Sequence, residues 1–82
     1  MVTKEYFDEL KESMAKRSVE SLIDEFNQQV GNSVFTSIRD LHNSVLIDTL
    51  IEKGIDVSAI YDGAIISFDH KVKLNGNKVE TI

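Results

Sequence analysis

The chain has no cysteine, no proline and no tryptophan, and its 82 residues include only four glycines. Without cysteine there is no disulfide frame, no thiolate nucleophile and no cysteine-based zinc site. The glycines, at 31, 54, 63 and 76, stand too far apart to cradle a phosphate or to form a dinucleotide fingerprint. Long apolar runs are also missing. The longest hold three residues, as in Val45-Leu46-Ile47, so no segment could span a bilayer and no apolar signal-peptide region follows Met1. The expected location is the cytoplasm.

Charge of one sign is modest. Fourteen acids against nine bases give a formal charge of −5, spread along the chain rather than gathered in a tail. That balance disfavours sequence-independent nucleic-acid binding, and it is too weak for a DNA mimic. Neither an HExxH pair nor an EF-hand spacing of acids is present. No catalytic, cofactor-binding or metal-ligating set is therefore assigned, and the chain is not expected to be an enzyme.

What is present suits one small globular domain. Twenty-three Val, Ile and Leu are far more than a disordered chain carries. At this length one thin core can form, and oligomerisation is a common supplement. The apolar residues Tyr6, Phe7, Leu10 and Met14 recur at helical spacing, with Thr3 as a cap. Glu12 and Lys16, four apart, add a little support. Val19, Leu22, Ile23, Phe26 and Val30 repeat the spacing, but on a stripe rotated by about 110°. Either one long helix shows different faces or Ser18 caps a new one; a break near Arg17-Ser18 is expected.

Gly31 is a natural stop, with Asn32 or Ser33 as the next cap. From Val34 to Lys53 the apolar positions Val34, Phe35, Ile38, Leu41, Val45 and Leu46 form a broad face. Ile47, Leu50 and Ile51 carry apolar character around much of the wheel, so this helix should be buried on several sides. It is either the central helix or a subunit interface, ended by Gly54. Leu46, Ile47, Leu50 and Ile51 are the candidate self-association residues, and Ile47→Asp is expected to yield monomer or unfold the chain.

After Gly54 the period changes. Residues 55–63 read as a connection, with a turn begun by Asp56 and ended by Gly63. From Ala64 the alternation has period two: Ile66, Phe68, His70, Val72 and Leu74 share one face. Asn75-Gly76 signals a type I′ hairpin turn. That turn pairs Leu74 with Asn77, Val72 with Val79, Lys71 with Glu80 and Lys73 with Lys78. The expected class is α+β, with two or three N-terminal helices (3–54) packed on a C-terminal antiparallel β-hairpin (64–82). Unpaired backbone on 64–69 would invite a further strand.

Three side-chain groups are candidates for function. His42, in the long helix's apolar stripe, and His70, on the hairpin's inner face, are candidate pH-sensitive residues. For both, a structural role is the simpler expectation. Lys71, Lys73 and Lys78 form a candidate anion contact, though Asp69 and Glu80 share their face and no aromatic residue interleaves to stack on bases. Tyr61 stands at a turn with Asp62 and Gly63, where an exposed ring can anchor a partner. The leading expectation is a small acidic protein–protein interaction module, an adaptor, regulator or inhibitor that self-associates as a homo-oligomer. One alternative is a nucleic-acid-associated protein using the lysine-bearing hairpin. The other is a small-molecule binder with a pocket between elements or subunits.

Overall fold

A computed structural model of the chain describes residues 4–31 and 37–82. Three helices, α1 (Lys4–Ala15), α2 (Val19–Gln29) and α3 (Ser37–Glu52), precede strands β1 (Val72–Asn75) and β2 (Lys78–Thr81). The class is α+β, with the strands forming an antiparallel hairpin. The caps assigned to Thr3 and to Asn32 or Ser33, and the apolar positions Val34 and Phe35, lie outside the described residues, as does the side chain of Ile38.

Local chemistry accounts for the helix ends. Ser18 takes extended backbone angles and its hydroxyl accepts from the Ser21 N–H at 3.2 Å, which separates α1 from α2. The break lets each helix turn its own stripe inward: α1 buries Met14, and α2 buries Leu22, Ile23 and Phe26. At the end of α3 the Gly54 N–H donates to Ile51 and the Ile55 N–H to Leu50, the paired bonds of a Schellman stop. Gly54 has φ 84°, which a side chain would strain. Leu50 and Ile55 are both buried there.

The apolar breadth of α3 is explained within one chain. Val45, Leu46, Ile47 and Leu50 are all 1% exposed, a set that wraps well around the helix. Helices α1 and α2 pack on it, and the segment after Gly54 adds Ile55, Val57 and Ile60 to the same core. Each fully buried side chain of this size contributes about 1.5–3 kcal/mol. Two contacts fasten the end of α1 to the end of α3: Lys11 Nζ lies 3.7 Å from Glu52 Oε1, and Lys53 Nζ donates to the Ala15 carbonyl at 3.0 Å. Of the two roles expected for α3, the central one is observed.

The hairpin departs from expectation in three ways. First, its turn is Gly76-Asn77, not Asn75-Gly76. Of the two turn residues only Gly76 takes positive φ, at 63°; that is the signature of a type II′ turn rather than I′. Second, the register moves with the turn. Leu74 faces Val79, Val72 faces Thr81, and Lys73 faces Glu80. The like-charged Lys73–Lys78 pairing is thereby replaced by an opposite-charged one, while the apolar face is kept.

Third, β1 starts at Val72, and residues 64–71 are not part of it. Local side-chain bonds divert them. Asp62 Oδ1 accepts from the N–H groups of Ala64 and Ile65 at 2.9 and 2.8 Å. The Ser67 N–H donates to the Ile60 carbonyl at 2.8 Å, and Tyr61 bridges Ile66. Residues 60–67 thus pair among themselves. Such local turns compete directly with a strand ladder. The alternation survives in Ile66, Phe68 and Val72, which turn inward, but His70 is exposed rather than on the inner face.

Neither edge of the hairpin is left as expected. The Asn27 side chain bonds both polar groups of Val72. On the other side Asp56 bridges β2 in parallel, donating to the Asn77 carbonyl at 2.7 Å and accepting from the Val79 N–H at 3.0 Å.

Candidate functional site

A stripe at i, i+3, i+4, i+7 and i+8 along α3 carries Asp40, Asn43, Ser44, Ile47 and Asp48. At 1.5 Å per residue it runs about 12 Å along the helix. The paired segment 60–67 and Phe68 stand opposite, and two adjoining cavities lie between. One, of about 270 Å³, is lined by Asp40, Asn43, Ser44, Ala64, Ile66 and Phe68. The other, of about 280 Å³, shares Ser44, Ala64 and Ile66 and adds Ile47, Asp48 and Tyr61. Together they make one groove.

Its walls have different chemistry. Across from α3 the groove is apolar, and that wall is braced: Phe68 stacks on the buried Phe26 with ring centroids 4.8 Å apart. The Asp62 carboxyl, which holds the turn at 62–65, lies below the ordinary carboxylate range because the Ile65 and Ala64 N–H groups favour its charged form. Ile65, between two lining residues, is 70% exposed. The α3 wall is polar. Asp40, Ser44 and Asp48 are exposed, whereas Asn43 is 4% exposed and its Oδ1 has no hydrogen-bond donor. A buried polar atom left this way is uncommon in native proteins.

The sequence-assigned residues fall elsewhere or inside. Of the four self-association candidates, Leu46, Ile47 and Leu50 are committed to this chain's core, and only Ile51, at 46% exposure, is on the surface. Lys71, Lys73 and Lys78 are exposed. Glu80 faces Lys73, and Asp56 is close enough to Lys78 to feel its charge. The lysine ribbon is therefore partly neutralised.

His42 is half-buried and its Nε2 lies 2.5 Å from Glu25 Oε2. A carboxylate only accepts, so the ring nitrogen donates. Arg17 donates to the other oxygen of Glu25 at 2.6 Å and to the Ser21 hydroxyl at 2.7 Å. Burial by itself would raise the Glu25 carboxyl. The hydrogen bonds and charge of Arg17 and His42 outweigh it and hold the group below its usual range. This cluster ties the start of α2 to the middle of α3, in line with the structural role expected of His42. His70 is exposed and does not approach it.

Among the described residues, no group of three or more His, Asp or Glu is gathered as a metal ion would require, and no helix is long and apolar enough to cross a membrane. The groove is not legible in the sequence, because its α3 stripe is mostly polar and its opposite wall reads as strand. Tyr61, as a turn aromatic, and Ile47, as a self-association candidate, are the groove residues for which the sequence suggests a contact role. Compared with known protein families, with curated proteins and with solved structures, the chain matches none.

Proposed function

We propose that this protein is a small protein-binding module whose contact surface is the groove between α3 and residues 60–68. The observation that carries this reading is the groove itself, in which a braced apolar wall faces a polar helix stripe about 12 Å long, with Tyr61 half-buried in it and Ile65 exposed beside it. Such a site holds two or three side chains of a partner, not a large flat interface. It suits a transient contact by an adaptor, regulator or inhibitor. The lysine ribbon has weaker support as a contact, because Glu80 and Asp56 stand against it.

Photocrosslinking tests the proposal. A benzoylphenylalanine replacing Ile65 should capture a discrete protein partner, whereas the same group replacing Lys73, on the hairpin's outer face, should not. Ser44→Arg, which fills the groove from an exposed helix position, should abolish the capture. Crosslinking that is equal at both positions, or indifferent to Ser44→Arg, would remove the groove as the contact surface.

A further inference from the structure

We infer that the groove is a receptor for the arginine side chain of a basic, extended segment on the partner; this rests on the groove being the binding surface. Hydrogen-bond inventory is the first support. Among the described residues, the polar lining residues are Asp40, Asn43, Ser44, Asp48 and Tyr61, and no lysine, arginine or histidine lines either cavity. Ionised carboxylates accept only. Neither Asp40 nor Asp48 is in an ion pair among the described residues, although the chain uses Glu12, Glu25 and Glu52 in such pairs. The two carboxylates of this wall are thus acceptors with no paired cation among the described residues, beside Ser44 and Tyr61 hydroxyls that both donate and accept.

The buried amide is independent of those charges. Asn43 lines the first cavity, is more than nine-tenths buried, and its Oδ1 lacks a donor. A solvent-facing acidic flank would need no such atom. That oxygen has less than 1 Å² of accessible surface as it stands, so an incoming donor reaches it as the amide turns into the cavity, and a guanidinium carries five N–H groups in a planar fork. It can therefore bond Asn43 Oδ1 and a carboxylate together, which a compact ammonium does less well.

The remaining features agree. Ala64, Ile66 and Phe68 provide apolar surface for the aliphatic stem below a charged head. Asp40 and Asp48 lie eight residues apart at the two ends of the stripe, so a segment lying along it passes both. A net charge of −5 favours the approach of a basic partner over an acidic one.

The test is a titration of the full, isotope-labelled chain followed by amide NMR. The probe is a short capped peptide alternating arginine with threonine; the controls replace arginine by citrulline, its neutral near-isostere, or by leucine. The arginine peptide should shift the amides of 40–48 and 64–68. Its affinity should exceed that of the citrulline peptide at least tenfold and fall as salt is added. Asp40→Asn with Asp48→Asn, both exposed sites that leave the core untouched, should remove most of that advantage. Asn43→Leu should weaken the arginine peptide while leaving the fold as stable as before or more so.

Equal shifts by the citrulline or leucine peptide would overturn the arginine assignment and leave the groove as a binding surface. If no peptide moves the groove amides and they shift instead with the protein's own concentration, a second copy of this chain occupies the groove and the inference falls. If nothing moves them, both the inference and the reading beneath it fall.

Discussion

The Asn27 side chain grips the backbone of Val72 from both sides: Nδ2 donates to the Val72 carbonyl at 2.9 Å and Oδ1 accepts from the Val72 N–H at 2.8 Å. One amide on α2 thereby stands in for the missing neighbour strand, across 45 residues of sequence. The edge that would otherwise seek another chain is closed at that residue.

Asn27→Ala should cost about 2 kcal/mol, since two hydrogen bonds worth about 1 kcal/mol each are lost. Asn27→Asp should be worse at neutral pH, because a carboxylate cannot donate to the Val72 carbonyl. Relative to the native chain it should recover on acidification, when the carboxyl regains a proton to give. Urea unfolding at several pH values checks both, and a loss confined to local fraying would show as faster exchange of the Val72 amide alone.

Glu25 sets a pH dependence. Its folded-state pKa is depressed, so as pH falls the unfolded chain takes up the proton first. The stabilisation is therefore complete above the unfolded carboxyl's value, about 4.3, and is lost as pH falls through the lower folded value. Glu25→Gln should flatten that part of the stability profile and cost about 1–2 kcal/mol at neutral pH, a figure reduced for partial solvent screening. Thermal melts between pH 3 and pH 7, with roughly that range chosen to bracket the ordinary carboxyl value, measure the difference.

The hairpin turn should distinguish handedness at one atom. Nothing lies within 4 Å of where a Gly76 Cβ would stand, so replacing Gly76 meets no steric obstacle, only its positive φ. Gly76→Ala should cost about 1–2 kcal/mol, whereas the D-alanine form made by synthesis should be neutral or stabilising. At the observed register Lys73→Glu places like charges opposite at Glu80. The loss should be a few tenths of a kcal/mol and should return in the charge-swapped double variant.

Two apolar positions on α3 separate core from surface. Ile47→Asp should unfold the chain whatever its oligomeric state, because Ile47 is fully buried in this chain's own core and an unpaired charge cannot be accommodated there. Ile51→Asp should leave the melting temperature nearly unchanged. If the chain self-associates through this end of α3, light scattering on a sizing column should show Ile51→Asp shifted to monomer; an unaltered oligomer would exclude that face.

Much of the fold was legible along the chain, because its signals act over a few residues. Ser18 needs only the Ser21 N–H to begin α2, and Gly54 needs only the carbonyls of α3 to end it. Spacing of the apolar residues located the helical segments and left two or three helices open, with a break expected near Ser18; the over-apolar helix that ends at Gly54 is the one at the centre of the core. Period-two alternation correctly sent Ile66 and Phe68 inward, although it mistook their backbone for a strand. These features depend on propensity, periodicity and capping, which the residues carry with them.

What the tertiary structure decided are contests between partners far apart in sequence. Two hairpin registers kept the apolar face together; the observed one sets Lys73 against Glu80 and places Gly76 where positive φ is needed. Whether 64–71 extended β1 or folded against α3 depended on Asp62 closing its own turn and on Phe68 reaching Phe26. Likewise the meeting of Glu25 with Arg17 and His42 joins groups 8 and 17 residues apart. The groove exists only because that folded-back segment faces a polar stripe on α3, and an unpartnered Asn43 oxygen can be recognised only once everything around it is in place. The composition and order of the residues determined which elements form, while long-range competition for hydrogen bonds and buried surface determined where their remaining polar groups were left.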